Sequence, residues 1–329
     1  PNLSETQVKL LTITPCVTGS MSILGSAAIS YSIISNRKTR LCKIYHRLLL
    51  CVSILDILSS IANGPMSTFA APRETSGIKA FGNVHTCNLQ GFLASLGVGV
   101  PLYTLMLSIH YVLTICYNMK ENALREIEPW FHGVASGISF SVAIAGLFMK
   151  LYNFSGNKCW ISPYPPGCAE NEDVECTRGI NAYIYTQLFY GAELYLSLIG
   201  VTVCMIYVYF YVRNLETVKM QYSFSNQFKG RRVKTISERE KRKKRLASEK
   251  LAKRGFQYVG ALFLTYAWSV ILHAVNIHTG EKPFALLLLV QIFLPLQGFM
   301  NCAVYLRSDI ARVKKDNPDR CYVWVLYKA

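Results

Sequence analysis

Seven long apolar stretches alternate with shorter polar segments along the chain. Each stretch has no Lys or Arg in its interior and reaches the roughly 20 residues that a helix needs to cross the hydrocarbon of a bilayer. The stretches are about Leu10–Ser35, Leu48–Ala70, Asn88–Tyr117, Trp130–Met149, Tyr183–Val212, Phe256–Ile277 and Phe284–Leu306. We therefore predict an all-α membrane protein with a seven-transmembrane helix bundle.

The composition agrees with this prediction. Hydrophobic residues make up 51% of the 329 residues and charged residues only 16%, whereas soluble domains carry about 25% charged residues. The formal net charge of +16 would suit a nucleic-acid partner only if the cations lay on a soluble domain. They lie between the apolar stretches instead, so no nucleic-acid partner is expected.

The distribution of cations predicts how the chain crosses the membrane. With the N-terminus outside, 28 of the 35 Lys and Arg residues fall on the inner side and six on the outer side. Because cytoplasmic loops carry the excess of Lys and Arg, we predict a multi-pass plasma-membrane protein with its N-terminus outside and its C-terminus inside. The expected regions are an extracellular segment 1–9, a transmembrane domain 10–306 with a basic third inner loop at about 213–254, and a cytoplasmic tail 307–329.

Sequons and cysteines support the same orientation. The two N-x-S/T sequons, at Asn2 and Asn153, both fall on the outer side and are the expected glycosylation sites, with an Asn153 too near the fourth span to be modified as the alternative. Four of the eleven cysteines also fall outside, and an even number on the oxidising side can pair completely. Four cysteines allow three pairings. We favour Cys87–Cys159 with Cys168–Cys176 and keep free thiols as the alternative.

The topology and several motifs resemble those of G-protein-coupled receptors. Ser53-Ile-Leu-Asp56 resembles the Asp-bearing patch in the second helix of rhodopsin-like receptors, and Asn301-Cys-Ala-Val-Tyr305 keeps the Asn and Tyr spacing of their seventh-helix motif. Cys159-Trp160 and Pro295-Leu-Gln-Gly-Phe-Met-Asn301 are more similar to the cyclic-AMP-receptor-like and secretin-like receptors. The resemblance implies a ligand-activated receptor that signals through heterotrimeric G proteins.

Two departures place the resemblance outside the ordinary rhodopsin-like class. The third span ends in Ser108-Ile-His-Tyr-Val112 without an acidic-Arg-Tyr motif, and no Pro follows Trp268 closely in the sixth span. The chain therefore resembles most the cyclic-AMP-receptor-like branch. The resemblance implies an activation switch at Asp56, Asn301 and Tyr305, while an Asp56 that serves only as structural glue is the alternative.

Polar residues inside three spans predict a ligand pocket. At about 100° per residue, the polar residues of the fifth, sixth and seventh spans each fall on one stripe, and stripes of this kind converge on the interior of a bundle. The expected ligand-binding residues are Tyr190, Glu193, Trp268, His273 and Gln291. Hydrogen bonding between helices without any ligand is the alternative. The seven acids and six bases of the outer segments do not concentrate an anion, so a cationic or neutral ligand is at least as well supported.

The inner face is expected to meet a G protein and anionic lipids of the inner leaflet. The basic loop has high helix propensity, so the fifth and sixth helices should extend into the cytosol, with a flexible middle near Tyr222–Gly230. The stretch Arg307–Lys315 alternates cations with apolar residues and predicts a short amphipathic helix after the seventh span. A loop that serves only as a membrane anchor is the alternative.

Other functions are weighed against the receptor. A retinal protein needs a lysine in its seventh span, and Phe284–Leu306 has none. A transporter or channel with a polar pathway through the bundle remains the alternative function, although the chain shows no internal symmetry. The spans hold no paired catalytic groups, since Asp56 stands alone and His110 and His273 are far apart. We therefore expect no enzyme activity, no cofactor and no metal.

Overall fold

The computed structural model describes residues 4–73, 75, 80–169, 174–227, 236–280 and 282–316. Seven helices in these ranges are long and apolar enough to cross a membrane. We name them α1 (Glu5–Ser35), α2 (Ile44–Asn63), α3 (Val84–Ile115), α4 (Glu121–Phe148), α5 (beginning with Ala182–Thr186 and ending with Ala192–Gln227), α6 (Ile236–Thr279) and α7 (beginning with Phe284–Phe293 and ending with Gln297–Asp316). The predicted seven-helix membrane bundle is thus confirmed.

Three helices contain a turn of different pitch. Residues Leu96–Val98 in α3 and Leu294–Leu296 in α7 form 3₁₀ turns, and Gln187–Gly191 in α5 forms a π-helical turn. The α7 turn contains Pro295, which has no backbone N–H and cannot continue an α-helix undisturbed. Two short helical segments, Arg37–Arg40 and Ser67–Ala70, lie in the loops on either side of α2.

Several helices are longer than the apolar stretches that predict them. α4 begins at Glu121, nine residues before the predicted Trp130, because charged residues of good helix propensity continue a helix past the hydrocarbon. α5 continues to Gln227 and α6 begins at Ile236, which confirms the predicted extension of both helices. Residues 222–227 of the expected flexible middle, Tyr222–Gly230, are helical, and residues 228–230 lie outside the described residues.

The segment after the seventh span is helical, as predicted, but it is not a separate helix. α7 runs from Gln297 to Asp316 without a break, so the amphipathic stretch Arg307–Lys315 is the C-terminal extension of α7. No helix-breaking residue separates the two parts, because the first proline of this region is Pro318. The remainder of the predicted tail, residues 317–329, lies outside the described residues.

α3 lies at the centre of the bundle. The most apolar part of α3 is 72% buried, while the corresponding parts of the other six helices are 22–56% buried. Large side chains such as Tyr103 and Tyr111 are almost completely buried in α3. α5 has the opposite character, since Leu196, Ile199 and Val203 are each more than 60% exposed. In a membrane these α5 side chains face lipid, where apolar surface has no cost.

A β-hairpin covers one end of the bundle, which we call the hairpin end. Strand β1 (Tyr152–Phe154) pairs antiparallel with β2 (Cys159–Ile161). The disulfide Cys87–Cys159 joins β2 to the first turn of α3. The buried side chain of Gln90 adds a second connection, because its Oε1 accepts the backbone N–H of Cys159 at 2.8 Å and its Nε2 donates to the carbonyl of Ala62 at 2.8 Å.

The side chain of Tyr152 packs between α3 and α4 and holds the hairpin against both helices. Its buried hydroxyl donates to the Ala143 carbonyl at 3.0 Å, and its oxygen lies within hydrogen-bond distance of Ser95 Oγ at 2.9 Å. Its ring fills the space that a side chain at Gly91 or Gly146 would occupy. Burial raises the pKa of Tyr152 to about 12, so the hydroxyl stays protonated and able to donate at physiological pH.

The second disulfide, Cys168–Cys176, closes a small lobe of the same loop. The structure therefore contains both pairings that the sequence favours. Arg178 then ties the end of the lobe to the hairpin, since its Nε donates to Asn153 Oδ1 at 2.7 Å and its Nη2 donates to Asn88 Oδ1 at 3.0 Å.

The hairpin buries Asn153, one of the two expected glycosylation sites. Asn153 is only 5% exposed, and its Nδ2 donates to the carbonyls of Ser162, Lys150 and Leu151 at 2.7, 3.2 and 3.3 Å. A glycan on that nitrogen would remove these bonds and could not fit inside the loop. The sequon pattern is correct, but the hairpin buries the acceptor. The other expected site, Asn2, lies outside the described residues.

We predict that the two disulfides differ in their effect on stability. Cys87–Cys159 closes a segment with a separation of 72 residues, and Cys168–Cys176 one of 8 residues. Chain entropy alone then favours the folded state by about 4 kcal/mol for the first and about 2.5 kcal/mol for the second. In thermal unfolding of the purified protein, the double variant Cys87→Ser/Cys159→Ser should lose more stability than Cys168→Ser/Cys176→Ser. Equal losses would contradict the anchoring role of the first bond.

Candidate functional site

Glu193 of α5 is a buried carboxyl group that is only partly satisfied. It is 8% exposed, and Ser197 Oγ donates to its Oε1 at 2.9 Å. Its other oxygen, Oε2, is buried and has no hydrogen-bond partner among the described residues. Because a buried carboxyl oxygen without a partner costs free energy, this oxygen is suited to accept a hydrogen bond from a bound molecule.

Ring contacts connect the other residues predicted to form the pocket. Tyr190 makes an edge-to-face contact with Trp160 of β2, with ring centroids 5.9 Å apart. His273 of α6 packs on Tyr195 of α5 at 6.3 Å. These contacts join the hairpin, α5 and α6 around the position of Glu193.

Trp268 lies at the contact of α6 with α7. Gln291 lies at the contact of α7 with α1. The Trp268 ring lies 5.6 Å from that of Phe293, and its Nε1 is buried without a partner among the described residues. Gln291 contacts α1 through its backbone, because its carbonyl accepts a hydrogen bond from Thr18 Oγ1 at 3.2 Å. Two of the residues predicted to form the pocket therefore keep a buried polar atom without a partner among the described residues, Glu193 Oε2 and Trp268 Nε1.

Asp56 connects three helices near the middle of the bundle. Its Oδ2 accepts hydrogen bonds from Ser22 Oγ at 3.0 Å and Ser26 Oγ at 2.8 Å, both on α1. Ser22 Oγ in turn accepts the backbone N–H of Gly298 in α7 at 2.7 Å. Asp56 of α2 thus meets α1 through the two serines, and it also lies against the backbone of α7 at Gly298.

Asn301 and Tyr305 occupy different environments along α7. Asn301 Oδ1 accepts from Gln297 Nε2 at 3.2 Å, and Gln297 Oε1 accepts the hydroxyl of Thr265 in α6. Tyr305 lies further along α7, where Arg40 donates to its hydroxyl. The structure thus does not gather Asp56, Asn301 and Tyr305 into one cluster. Asp56 bonds to α1, Asn301 to Gln297 of its own helix, and Tyr305 to Arg40.

Sequence reasoning missed a group of tyrosines at the end of the bundle opposite the hairpin. The hydroxyls of Tyr45 in α2 and Tyr258 in α6 lie 3.0 Å apart, and the ring of Tyr111 in α3 lies 6.3 Å from that of Tyr45. The guanidinium of Arg254 lies 5.5 Å from the centroid of the Tyr45 ring. We call Tyr45, Tyr111, Tyr258 and Arg254 the tyrosine cluster. Only Tyr111 lies in a segment that the sequence singled out, Ser108–Val112.

A second missed group joins α2, α3 and α4. Arg47 binds both carboxylate oxygens of Glu128, with Nη2 2.6 Å from Oε2. His132 Nε2 lies 3.4 Å from Glu128 Oε1, and its Nδ1 lies 3.0 Å from the Tyr103 hydroxyl. The sequence prediction began the fourth span at Trp130, so it excluded Glu128 and overlooked His132. The i, i+4 spacing of Glu128 and His132 was the available signal.

Comparison with known proteins gives a likeness of fold. A crystal structure of squid rhodopsin aligns with this chain at a TM-score of 0.67 and 14% sequence identity, over 99% of this chain and 88% of the rhodopsin chain. No protein-family model and no curated protein sequence matches this chain. The described helices therefore form a seven-transmembrane fold similar to that of G-protein-coupled receptors.

The likeness to rhodopsin does not extend to its chromophore. Retinal attachment as a Schiff base needs a lysine amine facing the bundle from the seventh helix, and residues Phe284–Leu306 contain no lysine. The residues of α7 therefore do not fit covalent retinal. The site residues must be interpreted from their own chemistry.

We predict that replacing Gly298 even by alanine destabilises the protein. A Cβ added there would overlap Asp56 Oδ2 and Ser26 Oγ, so Gly298→Ala must push α7 away from α1 and α2. Overpacking of this kind costs about 1–3 kcal/mol and should lower the midpoint of thermal unfolding.

Gly260→Ala in α6 is the matched control. A Cβ at Gly260 meets nothing within 4 Å, and alanine favours a helix by about 0.5–1 kcal/mol over glycine. Its unfolding midpoint should therefore be unchanged or raised. If Gly298→Ala is as stable as Gly260→Ala, the close packing around Asp56 is wrong.

Proposed function

We propose that this chain is a ligand-activated receptor that signals through heterotrimeric G proteins. It would lie in the plasma membrane with the hairpin end outside. The observation that carries the proposal is the pair of buried, unpartnered polar atoms, Glu193 Oε2 and Trp268 Nε1, inside a seven-helix bundle of the receptor type. A bound ligand that donates to one atom and accepts from the other would satisfy both.

The position of these atoms on α5 and α6 suits a receptor. A ligand shifts an equilibrium only by binding one packing of the helices more tightly than another. A molecule bridging Glu193 and Trp268 would change the packing of α5 on α6, which already meet through Tyr195 and His273. Since both helices extend far beyond the bundle, a small rotation near the pocket becomes a larger displacement at their inner ends.

The proposed partners at the inner end follow from charge. The described inner segments carry Arg37, Lys38, Arg40 and Lys43 on the short α1–α2 connection. Cations at the membrane surface attract anionic lipid headgroups at about 1 kcal/mol each, so we propose that this face contacts the anionic inner leaflet. The G protein would enter between the inner ends of α3, α5 and α6.

We further propose that the receptor belongs near the cyclic-AMP-receptor-like branch. The support is the sequence motif Cys159-Trp160 together with Pro295–Asn301. Both motifs have structural roles here, since Cys159 anchors the hairpin and Gly298 allows α7 to approach Asp56. The proposal concerns the type of receptor and leaves the chemistry of the ligand to the site itself.

Reciprocal coupling tests the proposed function. A compound that stabilises the purified receptor against heat would first be found among small amines, peptides and nucleotides. Its affinity would then be measured in nanodiscs with and without nucleotide-free G protein. Linkage requires the G protein to tighten ligand binding by the same factor by which the ligand tightens G-protein binding. Ligand binding that is unaffected by every G protein would contradict the coupling, and ion or solute flux in proteoliposomes would favour a transporter.

We predict that loss of the Tyr45–Tyr258 contact raises signalling without ligand. The two hydroxyls link α2 to α6, so removing one of them loosens the contact of α6 with the bundle at this end. One hydrogen bond contributes about 0.5–1.5 kcal/mol. Tyr258→Phe should therefore increase basal nucleotide exchange on the G protein by roughly 2- to 10-fold.

Tyr31→Phe is the control for this experiment, because it removes the same hydroxyl from a tyrosine that is 76% exposed. Tyr45→Phe should act like Tyr258→Phe, and the two changes together should add little to either one alone. Basal exchange that stays at the wild-type level in both single variants would show that the tyrosine cluster does not restrain α6.

A further inference from the structure

Lys158 is a cation that the hairpin holds over the bundle. It directly precedes Cys159 in β2, and its side chain is partly buried. Its ammonium donates to Asn63 Oδ1 at the end of α2 and lies 5.5 Å from the centroid of the Trp160 ring. No carboxylate among the described residues forms an ion pair with it.

The ammonium is therefore incompletely satisfied. A lysine ammonium carries three N–H donors, and the described residues accept one of them, at Asn63. Burial lowers the pKa of Lys158 from its usual 10.5 to about 8, and no described opposite charge acts against this effect. At neutral pH the side chain is still mostly protonated, so the site presents a positive charge with unused donors.

The surroundings of Lys158 are rigid. The neighbouring residue Cys159 is fixed by its disulfide to Cys87 and by the hydrogen bond from its N–H to Gln90. The Asn63 amide is also oriented, because its Nδ2 donates to the Ser59 carbonyl at 2.9 Å and leaves Oδ1 for the lysine. The hairpin thus holds the ammonium in place before any ligand arrives.

Lys158 is connected to the proposed ligand pocket. Its ammonium packs on Trp160, and the Trp160 ring makes an edge-to-face contact with Tyr190 of α5. Tyr190 lies one helical turn from Glu193. One continuous surface therefore leads from the unpaired cation at the hairpin end to the unpaired acceptor on α5.

We propose that Lys158 is the binding site for an acidic group, a carboxylate or a phosphate, of the receptor's ligand. The inference rests on the proposed receptor function and names the class of ligand. An oxyanion at this position would accept the remaining N–H donors of Lys158 and supply the opposite charge that the hairpin lacks. The Trp160 ring beside it offers an apolar face to the body of the same ligand.

This inference differs from the expectation drawn from total charge. The outer segments balance seven acids against six bases, which predicts no accumulation of anions. That balance is a sum over residues that are not in contact with one another. Ligand recognition depends instead on the charge at the binding site itself. The described surroundings of Lys158 consist of an amide, an indole ring and backbone, and they contain no acid.

Simple anions test the proposal without the natural ligand or a G protein. Thermal unfolding of the purified full chain would be followed in millimolar sodium phosphate, sodium acetate or sodium chloride at equal ionic strength. The wild type should unfold at a higher temperature in phosphate or acetate than in chloride. Lys158→Gln should lose this difference, while Lys158→Arg, which keeps the charge, should retain part of it. Stabilisation by phosphate alone would indicate a phosphoryl group, and stabilisation by acetate alone a carboxylate.

Two controls keep the test decisive. Lys282→Gln removes an exposed lysine at the same end of the bundle and should behave like the wild type. If Lys158→Gln does not fold, the wild type can be acetylated with an amine reagent, and modification of Lys158 should slow several-fold in the effective anion. Equal stabilisation of wild type and Lys158→Gln, or unprotected Lys158, would overturn the proposal. A negative result here leaves G-protein coupling untouched, because no G protein is present.

Discussion

A bilayer interior offers no hydrogen-bond partner, and this constraint governs the whole structure. Each polar group within the hydrocarbon must be satisfied by the chain itself or by something that the chain binds. The chain itself satisfies Asp56, because the serines of α1 and the backbone of α7 surround it. Glu193 and Trp268 each leave one atom unsatisfied among the described residues. We therefore propose that the two unsatisfied atoms, and not Asp56, are the groups that a ligand would meet.

These two regions share their helices with the inner end of the molecule. α6 carries Trp268 near the pocket, Thr265 in the contact with Gln297, and Tyr258 in the tyrosine cluster. In the proposed function, a ligand that changes the packing at Trp268 would act on the same helix that carries Tyr258 of the tyrosine cluster. At the other end, the hairpin is fixed to α3 by a disulfide and by Gln90. In the proposed function, the hairpin would therefore stay in place while α6 moves.

Much of the fold was accessible from the sequence because hydrophobic length is a strong signal. The seven spans follow from runs without Lys or Arg, and the cysteine count favours the two disulfides that the structure contains. Helix ends were less accurate, as at Glu121 of α4, because polar helix formers continue a helix beyond the hydrocarbon.

The contacts of single side chains were beyond sequence reasoning. Periodicity places Asp56 and Asn301 inside the bundle, but it does not determine that Asp56 meets Ser22 and Ser26 rather than Asn301. The sequence does not predict the hairpin either, because strands of three residues are too short to show an alternating hydrophobic pattern. Without the hairpin, neither the burial of Asn153 nor the position of Lys158 beside Asn63 follows from the sequence.

The central claim is that lipid makes the chain cross the membrane seven times, with the hairpin end outside. Single cysteines placed in a background without reactive thiols, at the exposed Lys282 and at the exposed Arg37, would be labelled in intact cells with a membrane-impermeant maleimide. The account predicts labelling at position 282 in intact cells and labelling at position 37 only after permeabilisation. Labelling of position 37 from outside, or of both positions from the same side, would contradict the topology and the receptor proposed from it.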